Sequence, residues 1–185
     1  MMLSEWKKFV GWTVLNHFLE HPSEEFYIKQ ISRILDISPR SAQVYCSAYE
    51  KDEILLSEFK ANAKMFKLNN ELPPVKALKK FYFLERFHEL GAIKKILSEN
   101  AGLTSLALYG SYASGTYDEK SDIDFLVLSD RPIKRSEFVK LQKKLGKNIQ
   151  LTEFTLAHWI GMKKSKDPFV ARVLSNHVLL YGGML

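Results

Sequence analysis

The sequence predicts an α+β protein of two domains: a helical N-terminal domain that ends in a β-hairpin, and a C-terminal α/β domain. Apolar residues recur at helical spacing through the first 51 residues, and two strand-like runs follow. Pro73-Pro74 then interrupts the chain, and strand-like and helical runs follow one another in the remainder. We therefore place the domains at residues 1–72 and 73–185, and the second opens with a linker helix over 74–99.

Two short helices are expected first. Helical spacing in the first joins Trp6, Val10, Val14, Leu15 and Phe18. The second has a smaller apolar face made of Ile28, Ile31, Ile34 and Leu35. Asp36-Ile37 then forms a tight turn before the third helix.

The third helix is predicted over Pro39–Lys51. Ser38 suits the N-cap position and Pro39 the first helical position. The residues expected to face inward are Ala42, Tyr45, Cys46 and Tyr49. Those expected on the outer face are Arg40, Ser41, Gln43, Val44, Ser47 and Lys51. Two strands follow at residues 54–59 and 63–69, joined across 60–62.

This order of elements resembles a winged helix-turn-helix DNA-binding domain over roughly residues 4–69. The resemblance implies that the outer face of the third helix, carrying Arg40, Ser41, Gln43, Val44 and Ser47, enters a DNA major groove. Lys60 and Lys64 on the hairpin would then contact phosphates. A helical packing or dimerisation domain is the alternative. Residues 1–70 contain nine basic and nine acidic side chains, and that neutral balance counts against tight DNA binding.

The linker helix carries an apolar cluster at Phe81, Tyr82, Phe83, Leu84 and Phe87. Apolar residues almost all round one turn indicate a helix buried on several sides. We interpret it as a spine between the domains or as a dimer contact. Because helix-turn-helix proteins commonly pair across a two-fold axis, we expect a homodimer with Phe81–Phe87 near that axis.

Composition limits the partners, the cysteine chemistry and the cellular location that we expect. The net charge of +6 arises in residues 71–185, which suits a nucleotide or polyanion partner. Cys46 is the one cysteine, so the sequence excludes a disulfide framework and a cysteine zinc site. No apolar run approaches the ~20 residues of a membrane span. We expect a cytoplasmic protein with no membrane partner.

The chemistry is concentrated in the stretch GSYASGTYDEKSDIDFLVL, residues 110–128. A strand over 104–109 leads into the Gly110-Ser111 turn, where main-chain N–H groups can approach a phosphate. Asp122 and Asp124 lie two residues apart at the start of the next strand and therefore share one face. Two neighbouring carboxylates repel unless a cation lies between them, and Mg²⁺ prefers such oxygen ligands together with substrate phosphates. The pattern predicts a site for metal-bound nucleoside triphosphate (NTP).

The motif is similar to that of the nucleotidyltransferase fold of the DNA polymerase beta superfamily, over roughly residues 74–182. The matching positions are Gly110, Ser111, Ala113, Gly115, Ser121, Asp122 and Asp124. The resemblance implies a mixed sheet, metal ligation by Asp122 and Asp124 with room for two Mg²⁺ ions, and catalytic roles for both aspartates. The residues assigned to nucleotide binding are Gly110, Ser111, Ser114, Gly115 and Ser121.

One position departs from the pattern. Active members of this superfamily carry a third acid on a later strand, here within residues 148–155, and Gln150 stands at that position. Glu153 is the nearby acid and the candidate for the third catalytic carboxylate. It is three residues on, so an unbroken strand would direct it to the opposite face. Either a bulge brings Glu153 in, or the site has two acids, and we favour the second.

Three functions follow. The first is a DNA-binding regulator whose second domain binds Mg-NTP with weak or no transfer of a nucleoside monophosphate (NMP). The second is an active nucleotidyltransferase that adds NMP to a protein, a small molecule or RNA. The third is a non-enzymatic partner-binding protein, like the antitoxins among the minimal nucleotidyltransferases.

Overall fold

The computed structural model describes residues 8–183 and Leu185. The chain divides into two compact units, Met1–Tyr82 and Phe83–Leu185. The boundary between them falls inside helix Pro73–Glu89, later than the predicted 72/73 boundary. Trp6 of the predicted first helix lies outside the described residues.

The first unit contains helices α1 to α3 and a three-stranded antiparallel sheet. Its elements are α1 (Val10–Glu20), β1 (Glu25–Tyr27), α2 (Ile28–Leu35), α3 (Pro39–Lys51), β2 (Leu55–Lys60) and β3 (Ala63–Leu68). The strand order is β1-β3-β2. Its core includes Phe18, Ile31, Ala42, Cys46 and Phe66.

Local signals set the start of α3 as predicted. Ser38 is the N-cap, and its Oγ accepts a hydrogen bond from the Ser41 N–H at 3.0 Å. Pro39 occupies the first helical position, where its missing N–H leaves no intrahelical bond unmade. Asp36 adopts the left-handed conformation (φ 52°) that ends α2. The predicted turn between the two helices is therefore present.

The strand β1 was not predicted. It has three residues, which pair with β3 from Glu25–Lys67 to Tyr27–Met65. A strand this short has too few residues for an alternating pattern to be distinguished in the sequence. The hairpin β2–β3 does match the prediction, with a turn between Lys60 and Ala63 in which Ala61 has φ 51°.

The predicted linker helix over 74–99 is two helices, α4 (Pro73–Glu89) and α5 (Ala92–Glu99). Gly91 separates them with φ 60°, a conformation that glycine adopts without steric penalty. The prediction of one continuous helix over 74–99 is therefore wrong.

The Phe81–Phe87 stretch, near which we expect a homodimer axis, is partly buried within the chain. Phe83 and Phe87 are 4% and 1% exposed and stack on each other within the core of the second unit. Phe81 is 37% exposed and contacts Trp12 in the first unit. The two most buried side chains of the stretch, Phe83 and Phe87, are therefore covered by other residues of the same chain.

The second unit is a four-stranded mixed sheet with helices on both faces. It continues with β4 (Leu103–Tyr109), α6 (Gly110–Ser114), β5 (Ile123–Ser129), α7 (Ser136–Leu145), β6 (Ile149–Phe154), α8 (Leu156–Lys164), α9 (Pro168–Ser175) and β7 (His177–Gly182). The strand order is β6-β5-β4-β7, with β5 parallel to β6 and the other pairs antiparallel. The prediction of an α+β protein with a mixed sheet is confirmed.

Alternation along β5 gives the sheet two apolar faces. Ile123, Phe125 and Val127 pack into a core that includes Phe138 and Leu141 of α7. Leu126 and Leu128 pack on the other face, in a core that includes Trp159 of α8 and residues of α9. None of the helices among the described residues is long and apolar enough to cross a membrane.

Candidate nucleotide and metal site

The predicted carboxylates lie at one end of the four-stranded sheet, which is called the site edge below. Across the four strands, the register places Gln150 opposite Asp124, Asp124 opposite Tyr109, and Tyr109 opposite His177. Directly paired residues point to the same face of a sheet, so these four side chains form one row. The Tyr109 hydroxyl reaches Thr152 Oγ1 at 2.8 Å, which joins β4 to β6 across the same face.

Asp122 and Asp124 lie at the start of β5, and both are partly buried. Burial raises the pKa of the Asp124 carboxyl, and the neighbouring Asp122 raises it further, while Arg172 opposes the shift. Burial and the neighbouring carboxylate both disfavour the negatively charged form of Asp124. The two acids are therefore held close enough to act on each other, as their spacing predicts.

Gly110 lies directly against Asp124. Its φ is +71°, and a Cβ built there would overlap Asp124 Oδ2. Only glycine fits this combination of backbone conformation and close approach. The Gly110-Ser111 turn therefore abuts the carboxylate edge, which brings the predicted phosphate turn and the predicted metal ligands into one site.

The other predicted nucleotide-binding residues shape the loops beside the site. Ser114 Oγ donates within the turn to the carbonyl of Ser111 at 3.1 Å. Gly115 ends α6 with φ 73°. Ser121 Oγ donates to Asp118 Oδ1 at 2.8 Å and accepts from the Asp118 N–H, so it braces the loop before Asp122.

Gln150 contacts the site, whereas Glu153 does not. Gln150 Nε2 donates a hydrogen bond to Asp122 Oδ2 at 3.3 Å. Glu153 pairs with Arg135 Nη2 at 2.6 Å, and β5 and β6 stay in continuous register from residue 149 to 154. Without a bulge, strand alternation directs Glu153 to the opposite face from Gln150. This placement corrects the candidate catalytic role of Glu153.

The donor set fits a cation shared with a ligand rather than a complete protein cage. Within residues 8–183 and Leu185, no group of three or more His, Cys, Asp or Glu side chains could hold a metal ion. Two carboxylates beside a main-chain turn match the way Mg²⁺ is held, by one or two protein carboxylates plus substrate phosphates. Asp122 and Asp124 are the residues that would hold it.

Arg172 is a charged residue near the acids that lies outside the sequence motifs. It lies in the last turn of α9, exposed, with its guanidinium carbon 5.4 Å from the centre of the Phe169 ring. It is 48 positions from Asp124 along the chain, and no local pattern connects the two. Only the tertiary packing of α9 on the sheet brings its charge near the acids.

Comparison with known proteins agrees with this geometry. The nucleotidyltransferase domain family matches residues 90–180. A Methanocaldococcus jannaschii protein named "Putative protein adenylyltransferase MJ1379" is 38% identical over 78 residues, covering 39% of this chain and 78% of that protein. The chain belongs to the nucleotidyltransferase family.

Solved structures similar to this chain include a toxin–antitoxin crystal structure with AMP-PNP. It is 24% identical, covers 51% of this chain and 73% of that chain, and has a TM-score of 0.38. Another, named "Possible transcriptional regulator", comes from Methanosarcina mazei Go1. It is 16% identical, covers 48% of this chain and 77% of that chain, and has a TM-score of 0.33.

The residues assigned to DNA lie outside the part of the chain that matches the nucleotidyltransferase family. On α3, the residues Arg40, Gln43, Val44 and Ser47 are exposed. Ser41 is partly buried and bonds to the cap Ser38.

The hairpin lysines are already paired with acids. Lys60 lies 2.5 Å from Glu25 and 2.8 Å from Glu58, and Lys64 lies 2.6 Å from Glu50. The charge of these two lysines is therefore largely matched by acids within the unit.

Proposed function

We propose that the second unit binds a metal-bound NTP at the edge formed by Gly110, Ser111, Asp122 and Asp124. The close approach of Gly110 to Asp124 carries this proposal, because it puts the main-chain turn directly beside a pair of carboxylates. The nucleotidyltransferase domain match over residues 90–180 supports the same assignment. The raised pKa of Asp124 also supports the proposal. It reflects burial and repulsion between the two acids, and a bound cation would relieve that repulsion.

The residues present would suit Mg²⁺, as one ion or two. When bound, such a cation neutralises phosphate charge and stabilises the attacking and leaving oxygens of an in-line displacement. Asp122 and Asp124 would bind it, and the N–H groups of the turn would orient the phosphates.

Transfer would be slow in this site. In nucleotidyl transfer, an acceptor hydroxyl forms a bond to the α-phosphorus, the bond to the bridging oxygen breaks, and pyrophosphate leaves with that electron pair. The hydroxyl proton must go to a base. Gln150, at the position where a third acid would stand, is an amide and takes no proton at neutral pH. We therefore place the protein among NTP-binding members with weak or no transfer activity.

The relative from Methanocaldococcus jannaschii supports ATP as the nucleotide and a protein hydroxyl as the acceptor for any residual transfer. Labelling of a protein acceptor would therefore distinguish weak transfer from nucleotide binding alone. A site that binds ATP and labels no protein would instead act as a nucleotide-responsive binding module.

The test is titration of Mg·ATP by calorimetry, together with incubation with α-labelled ATP and cell extract. Asp122→Asn combined with Asp124→Asn should abolish Mg-dependent binding. Asp130→Asn, an exposed aspartate at the other end of β5, is the matched control and should bind like the wild type. Unchanged binding in the double variant would remove the site. Labelling at rates typical of enzymes would overturn the weak-transfer assignment.

For the first unit we propose DNA binding through α3, as part of a nucleotide-linked regulator. The supporting observation is the Ser38-capped helix with an exposed polar face at Arg40, Gln43 and Ser47, next to a β-hairpin. A homodimer on a two-fold DNA site and a protein partner are parts of the same proposal.

A further inference from the structure

We propose that Arg172 binds the terminal phosphates of the nucleotide and makes the site distinguish a triphosphate from a monophosphate. This inference rests on the proposed function, and it assigns to the nucleotide a residue that lies outside the glycine-serine and aspartate motif.

The packing of α9 fixes where Arg172 lies. Val170 and Val173 are buried against the sheet face that carries Ala107 and Leu126, so α9 covers the same face as Asp124. The helix ends at Ser175, and the chain then enters β7 at His177, which lies in the row of the site edge. The last turn of α9 is therefore the part of the helix nearest that edge.

Phe169 connects Arg172 to the site row. Its ring packs edge-on against Tyr109 at 5.8 Å between ring centres, and Tyr109 is the residue directly across from Asp124. The Arg172 guanidinium lies over the same Phe169 ring at 5.4 Å. An aromatic face orients a guanidinium without using its N–H donors, which stay available for an anion.

The guanidinium of Arg172 is free to meet an anion beside the site row. It lies over Phe169, whose ring packs on Tyr109. Arg172 is exposed, and among the described residues it has no ion-pair partner within 4.0 Å. A planar guanidinium beside the two carboxylates is suited to bidentate binding of phosphate oxygens that the proposed metal ion would not contact.

The experiment compares Mg·ATP and AMP binding by calorimetry in the wild type, Arg172→Gln and Arg131→Gln. Arg131 is an exposed arginine beyond the opposite end of β5, so it is a control for charge alone. Arg172→Gln should weaken Mg·ATP binding about tenfold and AMP binding less than about twofold, the size expected for one charge-assisted contact. Arg131→Gln should match the wild type for both ligands.

An unchanged ratio of ATP to AMP affinity in Arg172→Gln overturns the inference, whether both affinities are kept or both fall together. If Arg172→Gln lowers the melting temperature, Arg172→Met keeps the aliphatic stem over Phe169 and the same ratio decides. A wild type that binds no Mg·ATP overturns the proposed function and this inference with it. A wild type that binds Mg·ATP, with the same ATP preference in Arg172→Gln, overturns the inference alone.

Discussion

Gln150 donates a hydrogen bond to Asp122, from Nε2 to Oδ2, at 3.3 Å. An amide at this position gives Asp122 a donor, where a carboxylate would add a third negative charge. The neutral contact orients one metal ligand but supplies neither a further anionic ligand nor a proton acceptor. The chemistry of the site therefore depends on the two aspartates and on what the nucleotide brings.

Gln150→Glu should restore a third acid with the same side-chain length. Without metal, we expect the variant to lose about 1 kcal/mol of stability, because a donor contact becomes like-charge repulsion. With Mg²⁺ or Mn²⁺, its melting temperature should rise more than that of the wild type, and label transfer from α-labelled ATP should increase. A metal response equal to that of the wild type would contradict the role given to Gln150.

Gly110→Ala should be more damaging than Gly146→Ala. Both glycines have left-handed backbone, at φ 71° and 64°, so each substitution carries a conformational penalty of about 1–2 kcal/mol. A Cβ at Gly110 also overlaps the Asp124 carboxylate, whereas one at Gly146 meets nothing within 4 Å. Chemical denaturation measures the difference between the two variants. Equal losses of stability, with Mg·ATP binding kept in both, would show that Gly110 does not abut the site as described.

Asp124→Asn should stabilise the protein at neutral pH. The folded-state pKa of Asp124 is raised above its ordinary 3.8, so its protonated form favours folding and that contribution is lost as the pH rises through the raised value. A neutral asparagine avoids the penalty of the buried charge. The gain in melting temperature should be full at pH 7, shrink as the pH falls towards 3.8, and narrow when Mg²⁺ is added to both proteins. Asp130→Asn, on an exposed residue at the other end of β5, is the control for loss of one carboxylate and should leave the melting temperature at pH 7 close to that of the wild type.

Arg40→Ala should weaken DNA binding more than Lys60→Ala. Arg40 is exposed at the start of α3, whereas the charge of Lys60 is already matched by Glu25 and Glu58. With a fluorescent random-sequence duplex at low salt, we expect a loss of about three- to tenfold for Arg40→Ala and a smaller one for Lys60→Ala. The reverse order would indicate that the hairpin, rather than the helix, meets the phosphates.

Cys46 should be unreactive in the folded protein. It is fully buried in the core of the first unit, and burial raises the pKa of its thiol to about 12. The thiolate is the reactive form, so at pH 8 the native protein should resist a thiol reagent such as DTNB and react at one thiol per chain after denaturation. Rapid labelling of the native protein would mean that this core opens readily.

Much of the fold could be predicted from signals between residues that are close together in the sequence. Ser38 and Pro39 specify the start of α3, and the spacing of Asp122 and Asp124 specifies a shared strand face, because each effect acts within a few residues. Gly91 is different, since an isolated glycine is tolerated inside many helices and its left-handed conformation is evident only from the structure.

The remainder depends on contacts between residues distant in sequence. Arg172 reaches the site because α9 packs on the sheet, and the pairing of Gln150 with Asp122 depends on the register of two parallel strands. The glutamate partners of Lys60 and Lys64 are likewise brought together by folding, so the charge count of the sequence could not reveal which lysines remain available.

The position of the unit boundary within α4 has a practical consequence for dissecting the protein. Val75 belongs to the first core and Phe83 and Phe87 to the second, on one continuous helix. Splitting the gene between codons 82 and 83 would remove about four main-chain hydrogen bonds at the cut and create two frayed ends. Separate expression of either half is best attempted with the whole of residues 73–89 retained on both fragments, at the expense of some exposed apolar surface on each.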